Sequence, residues 1–338
     1  MNDFNSKFSI CIPCYDDLGG LRETLNSVLR QLDSDKEGQF CIVIGLNDCR
    51  FSEKDALAGQ PSNKGVRLRF FKTEKYLEYD ASIKFVLSKV KTDFCLLIGC
   101  GERVLPNFSH ALLTFQDNQL DFGLLTVWHQ KKGGSLKKKH TRGVWSGIPL
   151  GTFNKMVSGH LFRTEFLQNL LSTNSLITLE WAHIEIALLV QSESRNEAVG
   201  YEEPTIVRFD EEQGWWSEVD IYKQYIEYCD LLLTYNERYP KLVYVKKELK
   251  KAYWIRLLLM ILQARSNGLR EAPLFFRDWI NLNCKGRFHR LVMTSALWTP
   301  AKMAAAFMVL ANWMLEFKKT INSLMFPIRF KAFIVDKK

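Results

Sequence analysis

Phe8-Ser-Ile-Cys-Ile-Pro-Cys-Tyr-Asp16, followed by Leu21-Arg-Glu-Thr-Leu-Asn-Ser-Val-Leu-Arg-Gln31, is the stretch on which the fold turns. Phe8 to Pro13 is a short apolar run and reads as a buried strand. Leu21, Leu25, Val28, Leu29 and Leu32 recur at helical spacing, so the segment after it reads as an amphipathic helix. The alternation continues. Phe40-Cys-Ile-Val-Ile-Gly45 and Val66-Arg-Leu-Arg-Phe-Phe71 are strands, Asp80 to Val90 is a helix, and Asp93-Phe-Cys-Leu-Leu-Ile-Gly99 is a fourth strand. A β-α-β-β-α-β order predicts a mostly parallel sheet wrapped by helices, with ligands at the C-terminal ends of the strands. Those ends are Pro13 to Asp17, Gly45 to Cys49 and Gly99 to Arg103.

Further along, strands are expected at Leu124 to His129, Met156 to Arg163 and Thr205 to Phe209, and a helix at Ile184 to Val190. Lys131 to Arg142 is a Gly- and Lys-rich loop. Beyond Glu212 the pattern is helical, with candidate helices at Val219 to Tyr235, Lys246 to Ala264 and Pro273 to Asn283. Thr299-Pro300 is a helix start, Thr as N-cap and Pro in the first helical position.

The 338 residues suit two domains, or one large domain with an appendage. With 47% apolar and 25% charged residues, the chain is neither disordered nor collagen-like. Its eight cysteines are too sparse for a disulfide scaffold. Cys11 and Cys14 form a lone Cys-x-x-Cys with no second pair to complete a zinc site. Cys11, Cys41 and Cys95 fall in expected strands and read as buried structural thiols. The first apolar run is too short for a signal-peptide core, so a cytoplasmic chain with reduced thiols is expected.

The charge is uneven. The net value is +9, yet residues 241–338 hold 19 Lys and Arg against 5 Asp and Glu. A mildly acidic body therefore carries a strongly basic, Trp- and Leu-rich tail. Such a tail calls for an anionic membrane surface, a nucleic acid or an acidic protein as partner. No RNA- or DNA-reading motif accompanies the basic surplus, so nucleic acid is the poorest of these.

The opening stretch resembles that of family-two glycosyltransferases: a strand ending in Pro-x-Tyr-Asn, then a helix ending in Ser-hydrophobic-hydrophobic-x-Gln. Cys41-Ile-Val-Ile-Gly-Leu-Asn47 is similar to their second strand and nucleotide-binding turn. Tyr76-Leu-Glu-Tyr-Asp80 resembles the Asn-Leu-Gly-Phe-Asp segment of the abequosyltransferase-like branch. Asp93 to Pro106 resembles the strand that carries the acidic metal motif. Ser158-Gly159-His-Leu-Phe162 and Trp181-Ala-His183-Ile-Glu185 match two later landmarks. The resemblance covers roughly residues 8–217.

It implies a GT-A-like nucleotide-sugar-binding sheet wrapped by helices, in residues 1–215, with a C-terminal helical appendage in 216–338. Residues 1–105 would bind the nucleotide-sugar and 106–215 would shape the acceptor site. The activity implied is inverting transfer of one sugar to a hydroxyl. The donor would meet Pro13, Tyr15, Asp16, Asn47, Asp48, Asp80, Cys100, Gly101 and Arg103, and a divalent cation, Mn²⁺ or Mg²⁺, would meet Glu102. The chain departs from the family pattern here. The usual Asp-Asp-Asp or Ser-Asp-Asp is Cys100-Gly101-Glu102, so only Glu102 is a hard ligand, and metal affinity should be weak. The base-reading Asp before Asn47 is Leu46. Asp48 could replace it only in a reshaped turn. The competing reading of Asp16 is a turn or helix-cap residue, and Asp80 reads equally as an N-cap for the helix that follows.

Glu180, His183 and Glu185 form the densest titratable cluster of the second half. A general base is needed on the sugar's far face. Glu180 is the first choice, as a carboxylate, and His183 the second. The competing reading is a helix start with Glu favoured by the dipole. Lys131, Lys132, Lys137, Lys138, Lys139, His140 and Arg142 make a basic lid, a membrane contact or simply a solvated loop. Trp215 and Trp216 stack on a sugar or belong to the core.

Met303 to Leu315 is uncharged but too short to span a bilayer, which takes about 20 residues. With Lys318, Lys319, Arg329 and Lys331 alongside, it reads as an interfacial helix. The expected function is a peripheral glycosyltransferase on the inner face of the cell membrane, acting on a lipid-linked O-antigen or capsule intermediate. The alternatives are a soluble transferase for a protein or small glycan, its tail forming a homo-oligomer, and a non-catalytic nucleotide-sugar-binding or scaffold subunit.

Overall fold

The computed structural model describes residues 6–32, 38–61, 65–116, 120–131, 144–146, 148, 150–154, 156–176, 180–210, 218–267, 276–277, 280–281 and 287–310. The chain divides into two compact units, Met1–Gly214 with Asp230–Leu249, and Trp215–Cys229 with Lys250–Lys338. The first takes in residues 230–249, which the sequence reading placed in the appendage.

The first unit is built on a mixed sheet. Strands β1 (Phe8–Tyr15), β2 (Phe40–Asn47), β3 (Arg67–Lys72) and β4 (Phe94–Leu97) are mutually parallel, in the order β3-β2-β1-β4. Helix α1 (Leu18–Gln31) crosses between β1 and β2, and α3 (Tyr79–Ser88) between β3 and β4. The short α2 (Glu53–Leu57) follows β2. β1, β2 and β4 are apolar on both faces because helices cover both, and β2 is buried along its length. Phe8 packs between Phe40 and Phe94 across the strand starts, with ring centroids 6.0 and 5.4 Å away.

Proline in a central strand normally removes a ladder bond. Here Cys11 is the last β1 residue paired with β4, and its carbonyl accepts from Ile98. Pro13, two residues on, turns its nitrogen to that same side beyond the paired region, so no bond is lost.

After β4 the sheet changes sense. The two-residue β5 (Arg103–Val104) and helix α4 (Phe108–Gln116) lead to β6 (Phe122–Lys131), β7 (Val144–Ser146) and β8 (His160–Arg163). α5 (Thr164–Thr173), α6 (Ala182–Glu193) and β9 (Val199–Asp210) complete the unit's sheet region. β8 lies antiparallel between β4 and β6, β9 lies parallel to β6, and β7 and β5 pair antiparallel with β9. The expected "mostly parallel" sheet is thus all-parallel in its first half and mixed in its second, where β6 and β9 are the parallel pair. Gly159 has φ +90°, and a Cβ there would sit 2.5 Å from the Leu125 carbonyl, so the turn into β8 admits no side chain.

α7 (Glu218–Arg238) and α8 (Val243–Ser266) each contribute residues to both units. In the second unit, α9 (Arg287–Leu297) leads to a helix over residues 301–310, after the Thr299-Pro300 start read from sequence. The Thr299 carbonyl accepts from the Arg265 guanidinium at 3.1 Å. Among the described residues no helix is long and apolar enough to cross a membrane.

Candidate functional site

The C-terminal ends of β1, β2 and β4 meet, and the turns leaving them are held by specific bonds. Asp17 caps α1, accepting the Gly20 N–H at 2.8 Å. Asp16 and Asp48 adopt left-handed backbone, φ 39° and 49°, each directly after a strand. Asp and Asn tolerate that region best among residues with a side chain. Asp16 accepts from the Arg50 backbone N–H at 2.9 Å and pairs with its guanidinium, which holds the carboxyl below its ordinary value. Asp48 donates its N–H to the Thr73 hydroxyl. Leu46 is core, packed away from the strand end.

Asn47 is buried. Its amide donates to the Leu77 carbonyl at 2.7 Å and accepts the Leu77 N–H at 2.8 Å. This pins the loop before α3 to the end of β2. Beside it, Tyr76 and Tyr15 sit edge to face, centroids 5.4 Å apart, and are 48% and 46% exposed. An exposed aromatic pair at strand ends offers a stacking surface for a planar ligand.

The Cys100-Gly101-Glu102 turn is gripped by α1. The Thr24 hydroxyl donates to the Glu102 carbonyl at 2.8 Å and accepts the Gly101 N–H at 3.0 Å. Gly101 stands at φ +88°, so the turn needs glycine at its centre. Cys100 leans on Cys14 and the Asp17 carbonyl. Arg103 is ion-paired with Glu23 at 3.0 Å, both side chains about half exposed. Glu102 is 3% exposed, and its Oε2 has no hydrogen-bond partner among the described residues. Burial pushes its carboxyl up to about 7, against the opposing pull of the Ser158 hydroxyl and Arg208.

A second group of side chains joins α3 to α6. Tyr79 is half-buried, its hydroxyl 3.3 Å from His183 Nδ1. Burial, with the charges of Asp80, Glu102 and Glu180 and against that of Arg208, pushes its phenol far up. Asp80 accepts the Ala182 N–H at 3.1 Å, capping α6 rather than its own helix. Glu180 lies just before α6. Glu185 is 1% exposed and accepts the Tyr235 hydroxyl at 3.3 Å. His160, 5.9 Å centroid to centroid from His183, is locked as neutral imidazole. Its Nδ1–H donates to Val157 O while Nε2 accepts from Asn154 N–H, and burial pushes it down to about 4.

Strand-end residues Pro13, Tyr15, Asp16, Asn47, Asp48, Cys100, Gly101 and Glu102 are thus neighbours at one edge of the sheet, and Asp80, Glu180 and His183 are linked through Tyr79. Glu185 is drawn off by Tyr235. Tyr79, Tyr76, Thr24, Ser158 and Arg208 were missed as site residues. Tyr76, Tyr79 and Ser158 lie inside the matched motifs, whereas Thr24 and Arg208 carry no local signal. Lys132, Lys137, Lys138, Lys139, His140, Arg142, Trp215, Trp216, Lys318, Lys319, Arg329 and Lys331 lie outside the described residues, as does the side chain of Lys131.

Among the described residues no three His, Cys, Asp or Glu side chains are grouped to hold a metal. A cation bound through a nucleoside diphosphate needs only one or two carboxylates, the phosphates and water supplying the rest. The orphaned Glu102 oxygen fits that minimal requirement.

No protein-family model matches the chain, and no curated protein matches it. Solved structures do. S. aureus TarS residues 1–349 in complex with UDP aligns with TM-score 0.57 at 11% identity, over 86% of this chain and 89% of that one. The UDP-GlcNAc complex of the same protein gives 0.53 at 10% identity, with the same coverage. The mannosyltransferase PcManGT from Pyrobaculum calidifontis, in complex with GDP-Man and Mn²⁺, gives 0.51 at 11%, over 90% of this chain and 88% of that one. At such identities the likeness is one of fold, and the fold is GT-A.

Proposed function

We propose that the chain is an inverting glycosyltransferase of the abequosyltransferase-like branch. It moves a sugar from a nucleotide-sugar donor to a hydroxyl of a lipid-linked surface polysaccharide intermediate. The observation that carries this reading is the convergence of the β1, β2 and β4 ends on one edge, with an exposed Tyr15–Tyr76 pair and a buried, partner-poor Glu102. The fold supports a nucleotide-sugar site there, and both comparison proteins bind such donors.

In this reading the base stacks on the tyrosine pair, which Asn47 holds in place through Leu77. Glu102 is the single protein ligand for a divalent cation, which when bound offsets charge on the leaving diphosphate. Arg208 adds a fixed positive charge near Glu102 and Tyr79. Glu180 takes the proton of the acceptor hydroxyl as its oxygen bonds the anomeric carbon and the bond to the diphosphate breaks. Attack from the opposite face inverts the centre. His183, oriented by Tyr79, is the second candidate base. Glu185, spent on Tyr235, belongs to the packing.

The second unit is the membrane-contacting part, on the inner face of the cell membrane. Its support is the basic surplus together with the exposed Leu291, Trp298, Met303, Phe307 and Val309.

The lone carboxylate at the strand end favours a second reading, a non-catalytic nucleotide-sugar-binding subunit. Calorimetric titration with UDP, GDP, CDP and dTDP, each with Mn²⁺, Mg²⁺ or EDTA, separates the two. Selective binding of one nucleotide, weakened by EDTA and by Glu102→Ala, is expected for the transferase. Absence of binding by all four would overturn the donor site itself. Binding without donor hydrolysis or transfer under any metal would leave the second reading.

A further inference from the structure

Cys11, Cys41 and Cys95 are buried inside strands, as thiols that pack and do not react. Cys14, Cys49 and Cys100 are placed differently. They stand at or just past the ends of three adjacent parallel strands, β2, β1 and β4. Cys14 Sγ and Cys100 Sγ are 3.5 Å apart, which is contact between sulfurs. Cys49 also lies within hydrogen-bonding reach of the Cys14 thiol, but its sulfur is held by further contacts. Its thiol reaches the Cys14 and Asn47 carbonyls, each at 3.5 Å, and its sulfur accepts the Asp16 N–H at 3.3 Å.

We infer that Cys14 and Cys100 form a redox-active pair, a modification site in which a peroxide closes a disulfide across the ends of β1 and β4. Access separates their roles. Cys100 is partly exposed, while Cys14 is 1% exposed beneath it. Peroxide therefore meets Cys100 first. Its sulfur is oxidised to the sulfenic acid and one water leaves. The Cys14 sulfur then attacks the Cys100 sulfur. The S–S bond forms, the S–O bond breaks, and the hydroxide departs with the Cys14 proton as a second water. Two thiols are oxidised and one peroxide is reduced.

The geometry favours this partner over others. A disulfide is about 2.05 Å long, so the sulfurs must approach by roughly 1.5 Å. Cys100 is flanked by Gly99 and Gly101, so the displacement falls on Cys100 itself, while Thr24 holds the Gly101 N–H and the Glu102 carbonyl and Ser158 holds the Gly99 N–H. Cys49 is tied by its three polar contacts. Cys100 also occupies the turn assigned above to the donor. Resting on that reading, closing the disulfide pulls the turn toward β1 and withdraws it from a bound diphosphate.

The test uses the full reduced chain and hydrogen peroxide. Peptide mapping by mass spectrometry should find a Cys14–Cys100 crosslink, with two free thiols lost and both restored by dithiothreitol. Cys100→Ser should lose the crosslink, and Cys49→Ser should keep it. An unchanged thiol count, a Cys14–Cys49 crosslink, or over-oxidation at Cys100 without a crosslink would overturn the inference. The nucleotide arm is separate. Oxidised protein should bind its nucleotide at least tenfold more weakly, reversibly, and in Cys100→Ser the affinity should not respond to peroxide. A crosslink with no change in affinity would uphold the pair and remove the strand end from the donor site.

Discussion

A carboxylic acid buried beside one arginine has a cost that varies with pH. Glu102 rises from 4.5 to about 7 in the fold. The groups facing it are Ser158, Arg208 and Tyr79. A folded-state value above the unfolded one means that protonation favours the fold. The stability is fully present below about 4.5, and it is lost as pH rises through about 7. At pH 8 the ionised group costs roughly 3 kcal/mol. Glu102→Gln should therefore stabilise the protein against urea at pH 8, with the gain vanishing by pH 4. A gain independent of pH would show that burial is not what shifts this group. The same substitution should weaken nucleotide binding in Mn²⁺ but not in EDTA. Asp80 makes a contrasting case. Its bond to the Ala182 N–H spans 102 residues of sequence, and periodicity reports only local burial. The sequence reads it as the N-cap of the helix that follows, but Glu78 holds that position, and Asp80 instead accepts from the first turn of a helix that no local pattern could name. Asp80→Ala should cost about 1–3 kcal/mol in urea unfolding, and Asp80→Asn much less. Unchanged stability with lost nucleotide affinity would make Asp80 a ligand group instead.

Among the elements, the first hundred residues are legible because β1, β2 and β4 are apolar on both faces and helices α1 and α3 on one. β1, β2, β3 and β4 and helices α1 and α3 all appear within a few residues of their expected places. β5 and β7 were missed because two or three residues carry no period. α4 and α5 were missed because they follow strands with no break in polarity strong enough to mark a new element. The antiparallel insertion of β8 beside β4 was equally hidden, since strand direction is set by pairing and not by composition. The site inherits this division. Strand-end residues could be read from the chain, whereas the Thr24 grip on the Gly101 turn and the Arg208 charge come from packing between distant elements. The Asn47–Leu77 pair tests how an element end becomes a site. Asn47→Ala removes both bonds to Leu77 and the one from the Thr73 hydroxyl, which costs about 1–3 kcal/mol, and frees the Tyr76 loop from Tyr15. Nucleotide affinity should fall together with stability. Tyr76→Ala should lower affinity alone, because Tyr76 is half exposed and contributes little to the core. Equal affinity in the two variants and the wild type would remove the aromatic pair from the donor site.

At the scale of the whole molecule the distribution of charge matters more than its total. The sheet-bearing unit is close to neutral, and the positive surplus lies in the C-terminal helices. There Trp298 is 74% exposed, Val309 70%, Leu291 66% and Phe307 48%, far more apolar exposure than isolated surface residues explain. Basic charge beside exposed aromatics suits an anionic lipid surface. Each Lys or Arg near such a surface is worth about 1 kcal/mol, and the attraction fades within a Debye length of about 8 Å at physiological salt. The full chain should thus sediment with phosphatidylglycerol vesicles and not with phosphatidylcholine vesicles. Raising the salt should release part of it. The remainder should depend on apolar insertion, so Trp298→Ser with Phe307→Ser should lower partitioning at least tenfold, each buried aromatic being worth about 1.5–3 kcal/mol. Nucleotide affinity should be untouched by the pair, since neither residue belongs to the unit that holds the strand ends. Equal binding to both vesicle types would rule out an electrostatic membrane contact. Self-association of the wild type that the double variant abolishes would assign the same face to a second copy of the chain.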